Sequence, residues 1–166
     1  MGRLLYALAA VTLGVSAAVI VVTSATLPAS VASHFGAQGY ASGYMPRDDY
    51  RLLMLGLAVL LPLGIFLSLV LMPRVSPSLV NVSNIRAWLV PPTRADTLAT
   101  LGARGALFAI MLSAFICATH LLVVRANAQL PPRLDAGALG SVLGVFMLGV
   151  ALWVIALLLH FRRPPA

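Results

Sequence analysis

Four long apolar runs, at about 4–27, 52–72, 101–124 and 136–159, constrain this chain more than anything else in it. A helix of about 20 apolar residues crosses the roughly 30 Å hydrocarbon core of a bilayer. Lipid offers no water to bond exposed backbone groups, so a spanning segment is a helix or part of a closed barrel. The strand alternation of a barrel is absent from these runs. They predict an all-α fold: a four-helix transmembrane bundle, residues 1–166 forming one membrane domain, with an outer loop after helix 1 and an interfacial inner loop between helices 2 and 3. Composition agrees. The chain is 61% hydrophobic and 9% charged, and a soluble domain carries about 25% charged residues. The first run is longer than the 7–15 residues or so of a secretory signal core, so it reads as a retained span.

All 11 basic residues are Arg and all 4 acidic residues are Asp. The net charge of +7 does not indicate nucleic acid, because the arginines sit singly or in pairs between the apolar runs. There they report topology. Arg3, Arg74, Arg86, Arg94, Arg104, Arg162 and Arg163 fall on one side, and Arg47, Arg51, Arg125 and Arg133 on the other. Seven against four predicts that both termini are cytoplasmic and that the loop after helix 1 lies outside. Cys117, inside an apolar run, has no second cysteine with which to pair.

Small residues recur every four positions: Ala10, Gly14 and Ala18; Gly64 and Ser68; Gly105, Ala109 and Ser113; Ala136, Gly140 and Gly144. Such stripes let helices approach closely in lipid. They admit a homodimer through Gly140 and Gly144, but packing within this one bundle is the preferred reading. Pro62 removes a backbone donor and is expected to bend helix 2. Pro46, Asp48 and Asp49 look like a helix start, with acids at the positive end of the dipole. The outer loop is rich in aromatics, Phe35, Tyr40, Tyr44 and Tyr50, which suit the membrane interface. In the inner loop, residues 79–90 read as a segment lying on the membrane surface. Thr93-Arg94-Ala95-Asp96 then resembles a capping box that opens helix 3.

His34 in the outer loop and His120 near the end of helix 3 share a membrane side. Asp48, Asp49, Arg125 and Asn127 join them there. An ionisable residue inside a span is a functional candidate. The candidate ligand-binding residues are therefore His34, Phe35, His120, Asn127 and Asp48. Metal binding by His34 and His120 is the sharper alternative, but their spacing is that of no metal motif. A structural or ligand-lining role is preferred, and no cofactor is expected. The serines and threonines of helix 1, Thr12, Ser16 and Ser24, are expected to bond back to their own helix carbonyls. The sequence holds no Gly-rich phosphate loop and no G-x-S-x-G, so no catalytic residue is assigned and the protein is read as non-enzymatic.

Leu27-Pro28-Ala29-Ser30-Val31-Ala32-Ser33-His34-Phe35, followed by Gly39 and Gly43-Tyr44-Met45, resembles the signature of a bacterial membrane family numbered 1648 among the domains of unknown function. Its pattern after a first span is L-P-x-x-[VI]-x-x-H-F and then a glycine, a module similar to the start of the sporulation-delaying-toxin immunity protein. Ser83-Asn84-Ile85-Arg86-Ala87-Trp88-Leu89-Val90-Pro91 is similar to that family's P-N-x-x-Y-W-L-x-P. Ser42 stands where the family often has Asp, and Ser83 and Ala87 replace its Pro and Tyr. The resemblance implies a multi-pass protein of the bacterial inner (plasma) membrane. It implies a central role for His34 and its loop, structural roles for Pro28 and Gly39, and an inner loop shaped by Asn84 and Trp88.

These readings lead to three function classes. The first is a non-enzymatic membrane protein that binds or senses a ligand or peptide through its outer loop, as in immunity or signalling. The second is an accessory subunit packed against a larger membrane complex. The third is a small transporter or metal-binding protein using His34 and His120.

Overall fold

The computed structural model describes residues 2–75 and 88–162. It has four helices long and apolar enough to cross a membrane: α1 (Gly2–Ser24), α2 (Arg47–Val75), α3 (Arg94–Asn127) and α4 (Ala136–Phe161). α2, α3 and α4 each contain one of the apolar runs, while α1 ends at Ser24, three residues before the end of its run. Helices α2 and α3 extend beyond their runs because helix-forming polar residues flank them: Asp48 and Asp49 in the first turn of α2, Asp96 in that of α3.

The outer loop is not irregular. It folds into an antiparallel hairpin, β1 (Ser30–Phe35) and β2 (Ala41–Pro46). Simple alternation does not reveal it, because the register shifts between Ala32 and His34 and again before Phe35. As a result Val31 and Ala32 are both buried although they are neighbours. Gly39 closes the turn at φ +82°, a left-handed conformation that costs other residues about 1–2 kcal/mol. A Cβ there would also run into the Leu134 carbonyl oxygen. That crowding reflects a real contact: the Leu134 N–H donates to Gly39 O at 2.8 Å and the Ala41 N–H to Pro132 O at 3.2 Å. The turn of the hairpin is thereby stitched to the link between α3 and α4. Pro28 lies in the exposed connection after α1. There Arg47 donates from its backbone to Ala29 O and from its guanidinium to Leu27 O.

Pro62 cannot donate to the carbonyl four residues back. Helix α2 absorbs the missing bond in a widened π turn at Gly56–Leu60 and continues to Val75. At the other end, Thr93 does not form the expected capping box. Its hydroxyl shares its one proton between the carbonyls of Trp88 and Val90, 3.1 Å from each, and its backbone is already helical. Of the expected surface segment at 79–90, Asn84 and its neighbours through Ala87 lie outside the described residues. Trp88 lies within them. Its carbonyl accepts from Thr93 and Thr97, and its ring stacks on His160 with Phe161 edge-on.

Helix α3 is the hub, packed against α1, α2 and α4. Along its parallel seam with α1 the contacts repeat every seven residues: Ser113 donates to Ser16 at 3.0 Å, and His120 meets Thr23 at 2.7 Å. A seven-residue repeat keeps two helices facing each other along their length. Gly102 leaves room for the Tyr6 hydroxyl on this seam, and Gly105 lets Phe66 and Leu69 of α2 come close.

The other small-residue stripes overturn the expectation of packing within the bundle. Ala10, Gly14 and Ala18 are exposed, and a Cβ at Gly14, Gly64, Gly140 or Gly144 would meet nothing within 4 Å. Only the α3 stripe packs internally. No residue in the most apolar 18-residue stretch of α4 is buried, and Val145 is 76% exposed. Leaving one such side chain in water instead of an apolar medium costs roughly 1.5–3 kcal/mol. Apolar side chains exposed all around a helix are the signature of a membrane span.

Candidate functional site

The hairpin and the helix ends beneath it bring together His34, Asp48, His120, Arg125 and Asn127 on one side of the fold. Depth follows from α3. Arg104 and Arg125 are 21 residues apart, about 31 Å along the helix, which matches the thickness of the hydrocarbon core. With Arg125 at the headgroups, His120 lies about 7 Å deeper. The hairpin sits above it.

His120 is fully buried where α1, α2 and α3 meet. Thr23 Oγ1 lies 2.7 Å from His120 Nε2 and also donates to Val19 O at 2.7 Å. A hydroxyl has one proton to give. Thr23 spends it on Val19, so it accepts from Nε2–H. The other nitrogen, Nδ1, then carries the lone pair and accepts from the Tyr50 hydroxyl at 3.0 Å. Tyr50 is 3% exposed and also stacks on the imidazole, with centroids 5.6 Å apart. Every donor and acceptor on this neutral imidazole has a partner, as a buried polar group requires.

About two turns further along α3, Asn127 binds the hairpin. Its Oδ1 accepts the Ala32 N–H at 2.9 Å, and its Nδ2 donates to Ala32 O at 3.0 Å and to Val123 O at 2.9 Å. The side-chain amide thus pairs with β1 as a neighbouring strand would. Around these bonds Ile20, Leu27, Val31, Tyr50, Met54, Ile116 and Val123 form one apolar cluster, with Phe35 and Met45 of the hairpin packed against it. The hairpin is therefore built into the helical core.

The predicted site residues separate into two groups. His120, Asn127 and Phe35 hold the fold together and face inward. His34 and Asp48 are exposed. His34 Nδ1 lies 3.0 Å from Ser33 Oγ, and its ring packs over Gly43, where a larger residue would crowd it. Asp48 pairs with Arg51 at 3.1 Å, one turn along α2. The two histidines do not converge. His120 bonds neither to a loop carbonyl nor to His34, and it keeps no free lone pair for a metal. Among the described residues no group of three or more His, Cys or Asp is placed to hold a metal ion. In α1, Thr12 bonds back to Leu8 O as expected. Ser16 instead pairs across to Ser113, and buried Ser24 Oγ has no hydrogen-bond partner among the described residues.

Sequence reasoning missed Thr23 and Tyr50, the two partners of His120. A signal for Thr23 is present: Ser16 and Thr23 are seven residues apart, as are Ser113 and His120. It also missed the cation–π contact of Arg133 over Tyr40, 4.9 Å from the ring centre. No family model, no curated protein and no solved structure matches the chain.

Proposed function

We propose that the chain is a non-enzymatic, multi-pass protein of the bacterial plasma membrane, with both termini cytoplasmic, that recognises a ligand or peptide outside through its hairpin. One observation carries this reading. The hairpin is anchored by Asn127 and the core cluster, while its His34, Tyr40 and Tyr44 stay exposed. Pre-anchored backbone lowers the entropy cost of binding, and exposed aromatics are the side chains that carry most binding energy at interfaces. The resemblance to the family numbered 1648, centred on this same hairpin, supports the reading, with immunity or signalling as the proposed biological setting.

The test is crosslinking in intact cells. A photoreactive residue at Ala37, on the exposed turn, is expected to capture a discrete partner in the wild type. His34→Ala/Tyr44→Ala should reduce that capture at least about fivefold, since two contact residues of about 1 kcal/mol each suffice. Thermal stability should change little, because exposed substitutions usually stay within about 0.5 kcal/mol. Equal capture by both proteins contradicts the proposal.

A second reading, an accessory subunit of a larger membrane complex, is favoured by the outward-facing Gly140 and Gly144 on α4. A complex that survives mild detergent and is lost in Gly140→Leu/Gly144→Leu, but not in the hairpin variant, would select it.

A further inference from the structure

Beneath the hairpin's turn, α3 and α4 part to leave a cleft that changes character with depth. At headgroup level it is polar, a cavity of about 420 Å³ lined by Gln38, Gln129, Arg133 and Asp135 among others. A smaller recess of about 120 Å³ shares Gln129, Arg133 and Asp135 and adds Arg125 and Leu122. One turn deeper along the same helix pair lies an apolar groove of about 570 Å³, bounded by Met111, Ala118, Val142, Val145 and Phe146. The three spaces follow one stripe of α3, Met111-Phe115-Ala118-Leu122-Arg125-Gln129, at alternating spacings of four and three. Such spacing keeps side chains on a single face.

We propose that this cleft binds one anionic phospholipid, its phosphate held by Arg125 and Arg133 and an acyl chain laid along the groove. Charge complementarity selects the headgroup. The ion pair present among the described residues joins Arg51 to Asp48, and neither Arg125 nor Arg133 has a carboxylate partner there. Asp135 lies in the same cavity, but its Oδ1 accepts the Ala138 N–H at 2.9 Å and caps α4. Two guanidiniums face one carboxylate, so the cleft is net positive. Arg133 is also steadied by its stack on Tyr40. Length selects the tail. From Arg125 to Met111 is 14 residues, about 21 Å, and one leaflet with its headgroup layer is about 20–22 Å thick. The groove opens sideways, since Val145 on its wall is 76% exposed, so a lipid can enter from the bilayer. This inference does not depend on the hairpin's having a ligand.

The test is native mass spectrometry of the full chain, released from mild detergent and titrated with phosphatidylglycerol, phosphatidylcholine or inorganic phosphate. Phosphatidylglycerol is expected to bind once, roughly tenfold more tightly than phosphatidylcholine, as two surface arginines of about 1 kcal/mol each allow. Arg125→Gln/Arg133→Gln should bring the two lipids to equal affinity. Arg51→Gln, on the same membrane side, should leave the preference intact. Ala118→Phe should weaken phosphatidylglycerol at least about fivefold while both arginines remain, and Val145→Trp, from the opposite wall, should do the same if Ala118→Phe disturbs the fold. Equal binding of the two lipids by the wild type overturns the proposal. So does a preference that survives loss of both arginines, tight binding of phosphate alone, or a dimer that occupies the groove in place of lipid.

Discussion

His120→Ala is expected to destabilise the detergent-solubilised protein by about 3–4 kcal/mol, the largest effect of any single substitution considered. Interhelical hydrogen bonds in membranes average about 0.6 kcal/mol, so losing two of them explains little of this. The larger part comes from what is left behind. The Tyr50 hydroxyl, deprived of His120 Nδ1, is buried without that acceptor, at roughly 1–3 kcal/mol. A cavity opens where the imidazole stacked on Tyr50, and large-to-small core changes cost about 2–5 kcal/mol. Tyr50→Phe keeps the stack and removes only the hydroxyl, so about 1 kcal/mol is expected. Because both substitutions break one bond, the double variant should fall short of the sum by about 1 kcal/mol. Thermal denaturation of the four proteins in one detergent measures this. Additive losses would mean that Tyr50 and His120 do not interact.

The second large effect belongs to Asn127. Asn127→Leu keeps much of the volume but abandons the Ala32 N–H and C=O beside an apolar cluster. Two orphaned backbone groups predict a loss of about 2–4 kcal/mol. The loss should also be local, because the three bonds tie one strand to one helix turn. Limited proteolysis separates local from global effects: the hairpin turn should become cleavable in Asn127→Leu at temperatures where the four helices remain intact. Asn127→Asp keeps an acceptor for the Ala32 N–H but gives up both donated bonds, so it should fall between the two. A hairpin equally resistant in all three proteins would mean that Asn127 does not anchor it.

How much of this could be read in advance depends on the length scale of the signal. The four helices were legible because each apolar run is about as long as the bilayer is thick and lacks the alternation of a barrel strand, the other structure that satisfies backbone groups in lipid. The hairpin was not, because its register shifts hide the period of two and because Ser, Ala and Gly dilute its β character. Histidine 120 stood out as an ionisable group in an apolar run. Its partners did not: Thr23 and Tyr50 lie 97 and 70 residues away, and the one signal, the seven-residue spacing that Ser16 and Thr23 share with Ser113 and His120, points to Thr23 only once α1 and α3 are paired. The small-residue stripes misled in a different way. Four-residue spacing shows that a face is smooth, not what it touches, and only the bundle's geometry shows that Gly14, Gly64, Gly140 and Gly144 face outward. Asn127 was singled out for its polarity, but its use, imitating a strand, is visible only once β1 lies beside α3.

In physical terms the molecule divides its polar groups by purpose. Apart from Ser24, those that face inward, Ser16, Thr23, Tyr50, Ser113, His120 and Asn127, spend their hydrogen bonds on one another or on backbone. Those exposed on the hairpin side, among them His34, Arg125 and Arg133, remain available to something outside the fold. Buried bonds that specify one arrangement, with exposed polar groups beside them, are what the proposed recognition role requires.

Hydrogen–deuterium exchange of the unmodified protein in lipid nanodiscs tests most directly whether the hairpin is part of the transmembrane core. The amides of Val31 and Ala32 should exchange as slowly as those of α3 around Ile116, and far more slowly than Ala37 and Gln38 in the turn. Exchange at 31–32 as fast as in the turn would show a hairpin that moves independently of the helices, and the anchored recognition surface would not exist.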